Sequence, residues 1–219
     1  LAQKLYEGGY ITYMRTDSVT ISEEAKSSIL SKIESKYGES YVNLRNYKNK
    51  NKSAQEAHEA VRPTDISVED ISLDYDQQRL YQLIWRRTIS SQMSDAQIER
   101  TVVNINSNSF DEIFIARGEV IKFDGFLRVY NEGTDDETQE EKGTLPQLNV
   151  NENLDLINII SRESFSRPPS RYTEASLVKK LEELGIGRPA TYATTISTIQ
   201  NRGYISKGDN EGQERTYKS

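Results

Sequence analysis

Residues 80 to 105 read LYQLIWRRTISSQMSDAQIERTVVNI, and the spacing of their apolar side chains changes partway along. The first part has helical spacing and predicts a helix from about Asp76 to Met93. Its inner face is expected to carry Leu80, Leu83 and Ile84, with Trp85 beside them. β-rich runs then follow at residues 101–105, 112–117 and 123–130, separated by Asn, Ser and Gly, which is typical of an antiparallel sheet. This change of period predicts an α+β fold.

An earlier helix is predicted upstream of this region. Thr20-Ile21-Ser22-Glu23 has the form of a capping box, and the apolar positions that follow at four-residue spacing before Gly38 are Ala25, Ile29, Ile33 and Tyr37. The segment from Tyr10 to Met14 is rich in β-branched and aromatic residues, which predicts a short strand.

The last fifty residues predict two helices and a hairpin. The first helix carries Leu177, Val178, Leu181 and Leu184, and the second carries Tyr192, Ile196 and Ile199. Gly185 is expected to end the first helix, and Pro189 to start the second, before Gly203. Strands at residues 204–207 and 215–218 would then make this a winged helix-turn-helix.

Charge is distributed unevenly along the chain, whose net charge is −6. Between Glu132 and Asp155 eight acids face one lysine, so residues 135–142 are expected to form a solvated loop. Between Ser166 and Ser219 nine bases face six acids, which favours a nucleic-acid partner for the C-terminal part.

Two classes of site are excluded by composition. Cysteine is absent and His58 is the single histidine, so a cysteine- or histidine-based metal cluster is excluded and no metal ligand is assigned. No apolar run of about 18 residues and no leader pattern occurs. A soluble, cytoplasmic protein is expected.

The first candidate site is Thr12-Tyr13-Met14-Arg15-Thr16-Asp17-Ser18. On an extended segment Tyr13 and Arg15 would share a face, because side chains two apart point the same way. A tyrosine phenol, with a reference pKa of about 10, is a weak nucleophile at neutral pH. A neighbouring guanidinium would favour the phenolate and hold a phosphate, as cleavage of a phosphodiester requires. The alternative is that Tyr13 only packs on a strand.

The second candidate site is Gln55-Glu56-Ala57-His58-Glu59-Ala60-Val61-Arg62-Pro63-Thr64. If this segment is helical, His58 and Arg62 lie four residues apart on one face, and both could donate to a phosphate. The alternative is a surface histidine without a task.

The third candidate site lies between the two C-terminal helices, in Gly185-Ile186-Gly187-Arg188-Pro189-Ala190-Thr191-Tyr192. Backbone N–H groups at a helix start, with Arg188 and the Thr191 hydroxyl, could bind a phosphate. The alternative is an ordinary interhelical turn.

These segments resemble three motifs of the type IA DNA topoisomerases, in the family's order and at about its spacing. The third motif also includes Pro168-Pro169-Ser170-Arg171-Tyr172-Thr173-Glu174-Ala175-Ser176-Leu177-Val178, which runs into Gly187-Arg188-Pro189. Met14 and the Gln-Glu-Ala-His form of the second motif are closer to bacterial topoisomerase I than to topoisomerase III. Ala190 departs from the serine often found there. Since the chain starts at Leu1 without a methionine and ends in a predicted strand, it is expected to be an internal piece of a longer enzyme.

The resemblance implies a reaction and its residues. Tyr13 would attack a backbone phosphate of single-stranded DNA and leave a 5′-phosphotyrosyl enzyme, and strand passage and religation would then relax negatively supercoiled DNA without ATP. Arg15 would neutralise the scissile phosphate, and His58 would orient the cleavage site. DNA contacts are expected from Arg15, His58, Arg62, Arg188 and Thr191.

The resemblance also implies an architecture and partners. In the family's ring, residues 1–93 would be most of the helical domain with the catalytic tyrosine, 94–163 the β-rich hinge domain, and 164–219 part of the winged-helix-like base. Mg²⁺ would be bound by an acidic motif in a Toprim domain upstream of Leu1. A monomeric bacterial enzyme associated with the nucleoid is expected, and the isolated chain should be inactive.

Two other classes of function compete with this interpretation. The winged-helix-like C-terminus would also fit a plain DNA-binding module with an inert Tyr13. An interaction scaffold held by the acidic loop would bind no DNA, whereas salt-dependent preference for single strands would exclude it.

Overall fold

The computed structural model describes residues 1–48, 58–108, 111–131, 145–146, 148–161, 163 and 169–208. The chain divides into two compact units, Leu1–Arg171 and Tyr172–Ser219. Across the described ranges, no helix combines the length and apolar character needed to cross a membrane.

Helices and one sheet make up the first unit, which is therefore α+β as expected. The helices are α1 (Ala2–Glu7), α2 (Glu23–Tyr37) and α3 (Tyr75–Ser91), and the strands are β1 (Gln97–Asn106) and β2 (Ile113–Phe123). Short 3-10 turns lie at Glu39–Tyr41 and Gly125–Arg128. The core is formed mainly by α2, α3 and the segments that pack on them.

Helix α2 confirms the predicted four-residue stripe, since Ala25, Ile29 and Ile33 are buried. Its predicted start is wrong by two residues. Ser22 is the N-cap, and its hydroxyl accepts a hydrogen bond from the Ala25 N–H at 3.4 Å. A serine oxygen at this position satisfies one of the free N–H groups of the first turn, so the Thr20–Glu23 box is not used.

Helix α3 begins one residue before the predicted start, and its predicted inner face is wrong at Leu83, which is 51 % exposed. The buried stripe is instead Gln77, Tyr81, Trp85 and Ile89. At about 100° per residue, Leu83 is turned about 200° from Tyr81. Leu80, Ile84 and Trp85 do pack in or on the core as predicted, so the error is confined to Leu83.

Strands β1 and β2 pair antiparallel, with Thr101 opposite Gly118, and confirm the first two β-rich runs. The third run, residues 123–130, is wrong as a strand because a 3-10 turn occupies Gly125–Arg128. Gly125 has φ +50°, and the Phe126 N–H donates to the Ser94 carbonyl at 2.9 Å, which bends the chain back. The strand predicted at 10–14 is reduced to a single bridge between Ile11 and Pro63.

A hydrogen-bonded joint ties the base of the β1–β2 ribbon to the helical core. The Tyr41 hydroxyl donates to Asp124 Oδ1 at 2.6 Å and accepts from Arg128 Nη1 at 2.8 Å. The Ser94 N–H donates to the Tyr41 carbonyl at 2.8 Å. The Tyr41 ring also packs on Phe123, with ring centroids 4.7 Å apart.

In the second unit, the two predicted helices are confirmed as α4 (Glu174–Glu183) and α5 (Tyr192–Asn201). Gly185 ends α4 with φ +69°, and the Ile186 N–H donates to the Leu181 carbonyl at 2.8 Å, which is a Schellman cap. Helix α5 begins at Tyr192, three residues after Pro189. Residues 204–207 form no strand, because the Tyr204 N–H donates back to the Ile199 carbonyl.

The predicted second strand of the wing, residues 215–218, lies outside the described residues. The acidic segment at 135–142 also lies outside them.

Gly125→Ala should destabilise the fold more than Gly9→Ala. Both glycines have positive φ, which costs a side chain about 1–2 kcal/mol. A Cβ on Gly125 would also lie 2.5 Å from the Ser94 carbonyl oxygen, whereas one on Gly9 would meet nothing within 4 Å. We expect about 1–3 kcal/mol of extra loss for Gly125→Ala in urea unfolding. Equal losses would contradict the close packing at this joint.

Candidate active site

The described parts of the first two candidate segments lie side by side as two paired loops. We call residues 9–20 the tyrosine loop and residues 58–64 the histidine loop. Backbone hydrogen bonds of 2.8–3.0 Å join them, from Thr12 N–H to the Arg62 carbonyl, from Thr64 N–H to the Tyr10 carbonyl, and from Ala60 N–H to the Thr20 carbonyl. Ile11 and Pro63 are buried beneath this pairing. The loops are therefore fixed relative to each other.

The pairing brings Tyr13 and His58 into contact. Their ring centroids are 5.3 Å apart and their planes are tilted by 45°. On another side the Tyr13 ring meets Tyr6 of helix α1, also at 5.3 Å, in an edge-to-face arrangement. Tyr13 is half-buried and His58 is exposed. The phenol is therefore held by two rings at the surface, where a large ligand can reach it.

Arg15 is exposed, in a part of the tyrosine loop that is not a strand. The prediction that Tyr13 and Arg15 share a face rested on an extended strand, so this geometric basis is wrong. The exposed Arg15 guanidinium can be reached by an anionic ligand from solvent.

The predicted helical relation between His58 and Arg62 is wrong, because residues 58–62 are not helical. Helix formation would need the Arg62 N–H to donate to the carbonyl four residues earlier. It donates instead to the Thr12 hydroxyl at 2.9 Å. The predicted helical residues before His58 lie outside the described part of the chain.

Arg62 interacts with its own loop. Its Nη2 and Nε lie 2.6 and 2.7 Å from Glu59 Oε2, and its Nη1 donates to the Pro63 carbonyl at 3.0 Å. Burial raises the pKa of the Glu59 carboxyl, but hydrogen bonds from Ser22 and Arg62 outweigh it and hold the pKa below its ordinary value. Glu59 thus holds the Arg62 side chain within the histidine loop.

The third candidate segment forms a closed turn before α5. Gly187 has φ +80°, and the Arg188 N–H donates to the Thr191 hydroxyl at 2.9 Å. That hydroxyl donates in turn to the Arg188 carbonyl at 3.1 Å. Both residues are exposed, and they belong to the second unit. Thr191 therefore stabilises the turn, and the backbone N–H expected to meet a phosphate already has a partner.

Sequence reasoning missed three residues at this site: Thr12, Tyr6 and Glu59. Thr12 stands directly before Tyr13, and its hydroxyl was visible, but nothing local shows that it bonds to residues 48 and 50 positions away. Tyr6 reaches Tyr13 only because α1 ends at Glu7 and the chain turns at Gly8 and Gly9.

The residues described here do not fit a metal centre, since no group of three or more His, Asp or Glu side chains among them could hold an ion.

A family model described as DNA topoisomerase matches residues 1–215. The chain therefore belongs to the DNA topoisomerase family, and its relatives place it with the type IA, bacterial topoisomerase I-like members.

DNA topoisomerase 1 of Rickettsia conorii is 48% identical over 220 residues, which cover 94% of this chain and 28% of that protein. The Mycobacterium leprae enzyme is 46% identical and is covered to 23%. Full-length topoisomerase I from Thermotoga maritima superposes with a TM-score of 0.66 at 35% identity, covering 90% of this chain and 31% of that one. The chain thus spans about a quarter of the length of its curated relatives.

Glu59→Gln should lower stability at neutral pH but not in acid. The pKa of Glu59 is lower in the folded state than the ordinary value of about 4.5. The stability that the ionised carboxylate contributes is therefore present above the unfolded pKa and is lost as pH falls through the folded pKa. The difference in thermal midpoint between wild type and Glu59→Gln should therefore shrink below about pH 4.5.

Glu24→Gln removes the same charge from the exposed first turn of α2, so it controls for net charge. A Glu59→Gln deficit that persists unchanged in acid would contradict the ionic link between Glu59 and Arg62.

Proposed function

We propose that Tyr13 is the nucleophile of a DNA topoisomerase that cuts one strand, passes another through the break and reseals it. The observation that supports this best is the Tyr13 ring held against His58 at the surface, with an exposed cation, Arg15, two residues further on. A half-buried phenol in a fixed position beside donors to phosphate fits phosphoryl transfer, in which positioning and charge supply most of the catalysis.

The proposed cleavage and resealing need no external energy source. The Tyr13 oxygen bonds to phosphorus, the bond from phosphorus to the 3′-oxygen breaks, and the phenol proton is passed to the leaving 3′-oxygen. A 5′-phosphotyrosyl enzyme and a free 3′-hydroxyl result. Because one phosphodiester replaces another, attack of the 3′-hydroxyl reverses the step, and ATP is not needed. The net proposed effect is relaxation of negatively supercoiled DNA.

Each residue of the paired loops has a proposed role. Arg15 neutralises the scissile phosphate, because its guanidinium is exposed and can donate two hydrogen bonds. His58 donates to an adjacent phosphate while its ring supports Tyr13. Arg62 was expected to contact DNA, but its Nε, Nη1 and Nη2 already contact Glu59 and Pro63, so we assign it to holding the histidine loop.

The second unit is proposed to hold the single strand. Arg188 is exposed and remains the candidate for a phosphate contact. Thr191 would act mainly by shaping the turn that presents Arg188, because its hydroxyl is already engaged.

For the complete protein we propose the ring architecture of the family. Residues 1–93 would form the helical domain with the tyrosine, 94–163 the hinge, and 164–219 part of the base. Mg²⁺ would be held by a Toprim domain outside this chain. We propose a monomer acting on single-stranded regions of DNA in the bacterial cytoplasm, at the nucleoid.

Tyr13→Phe in the complete protein that includes this chain should abolish covalent attachment to single-stranded DNA, because phenylalanine keeps the ring but removes the attacking oxygen. The measurement is peptide mapping of the adduct formed on end-labelled DNA in the presence of Mg²⁺ after denaturation.

Tyr6→Phe is the matched control, since Tyr6 presents a second phenol ring 5.3 Å from that of Tyr13. It should retain the adduct. An adduct that survives Tyr13→Phe but not Tyr6→Phe would move the nucleophile to Tyr6, and one that survives both would refute the proposal.

The 219-residue chain by itself should not relax supercoiled plasmid DNA, because the proposed Mg²⁺-binding domain is not part of it. Gel electrophoresis of plasmid topoisomers with the complete protein as positive control tests this. Relaxation by the isolated chain would show that these residues carry the complete reaction.

A further inference from the structure

We infer that Thr12 is a positioning residue for strand cleavage, whose hydroxyl seats the histidine loop so that His58 meets the Tyr13 ring. This inference rests on the proposed function of Tyr13. Thr12 touches neither reacting atom in this geometry, and its effect would pass through the backbone of residues 60–62.

The Thr12 side chain makes two hydrogen bonds to the histidine loop. Its hydroxyl donates to the Ala60 carbonyl at 2.7 Å and accepts from the Arg62 N–H at 2.9 Å. The Thr12 backbone N–H adds a third bond, to the Arg62 carbonyl. One residue thus satisfies polar groups on both sides of Val61. In a part-buried place, those groups would otherwise lose their partners.

Thr12 stands next to Tyr13 in the chain, and Ala60 lies two residues from His58. A trans peptide fixes neighbouring Cα atoms 3.8 Å apart, so movement of the Thr12 backbone carries Tyr13 with it. The hydrogen bond from Thr12 to Ala60 therefore couples the backbone next to Tyr13 to the loop that carries His58. Loss of this hydrogen bond would let the histidine loop shift relative to Tyr13.

A second threonine provides an internal comparison. The Thr64 hydroxyl also joins the two loops, by donating to the Gly9 carbonyl at 2.6 Å, but it lies at the far end of the histidine loop from His58. If any bond between the loops mattered equally, Thr64 and Thr12 would behave alike. If position relative to Tyr13 and His58 matters, only Thr12 should affect cleavage.

The test compares Thr12→Val, Thr12→Ser and Thr64→Val in the complete protein. Valine keeps the shape of threonine without the hydroxyl, and serine keeps the hydroxyl without the methyl group. Single-turnover adduct formation should slow about tenfold to a hundredfold in Thr12→Val, because a small misplacement of reacting groups is costly. Thr12→Ser and Thr64→Val should stay within about threefold of wild type.

Binding of the same oligonucleotide and the thermal midpoint separate positioning from damage to the fold. The dissociation constant of Thr12→Val should stay within about threefold, so that the loss falls on the cleavage rate. In a His58→Ala background, Thr12→Val should add little, because the two residues act through one contact. Full additivity would overturn the inference.

The inference is also overturned if Thr12→Val cleaves like wild type, if Thr12→Ser is as slow as Thr12→Val, or if Thr64→Val is equally slow. Tyr13→Phe in the same series tests separately whether Tyr13 is the nucleophile. An adduct retained by Tyr13→Phe would refute the proposed nucleophile and, with it, the role of Thr12. An adduct lost in Tyr13→Phe but formed normally by Thr12→Val would refute Thr12 alone.

Discussion

The pairing of the tyrosine loop with the histidine loop is the constraint on which the candidate site depends. Neither loop has regular secondary structure of its own, so their backbone groups find partners mainly in each other. Part-buried N–H and C=O groups without partners are costly, which gives the pairing a strong preference for one register. That register places the Tyr13 ring against His58, and the contact follows from it.

Helix α3 supports this pairing by hydrogen bonds to the segment after the histidine loop. The Trp85 indole N–H donates to the Ile66 carbonyl at 2.9 Å, and the Tyr81 hydroxyl donates to the Val68 carbonyl at 2.7 Å. These two side chains stand one turn apart, so they hold the segment that directly follows the histidine loop. Ile66 is buried in that segment, and Pro63 is buried in the histidine loop itself. The hydrogen bonds of Trp85 and Tyr81 therefore connect helix α3 to the irregular segment that follows the histidine loop.

The β1–β2 ribbon has a different relation to the core. Apolar side chains such as Val102, Ile113 and Ile121 are exposed along it, and a two-stranded ribbon is only marginally stable alone. Its base is secured where Tyr41 bridges Asp124 and Arg128. In the proposed ring, this joint would couple the β1–β2 ribbon to the domain that carries Tyr13. A movement of either one would then displace the other.

The sequence alone predicted helices α2 to α5 and the two runs that form β1 and β2, and it supplied the candidate residues. Helical and β spacing are local properties, and Gly185 ends its helix through its own backbone freedom. The motifs around Tyr13 and His58 were recognised through their resemblance to the type IA topoisomerases, whereas the residues taken alone left the alternatives open. The inner face of α3 was not predictable in this way, since Leu83 and Tyr81 are both able to fill a core.

Tertiary structure alone decided how the candidate residues meet. Residues 58–62 had a plausible helical pattern, but their N–H groups bond to Thr12 and Thr20, some forty to fifty positions away. The Arg62 side chain instead bonds to Glu59 and Pro63 within its own loop, and the turn after α1 brings Tyr6 to Tyr13. Local sequence specifies which groups can donate and accept, whereas the partner each group takes depends on which distant segments the core brings alongside it.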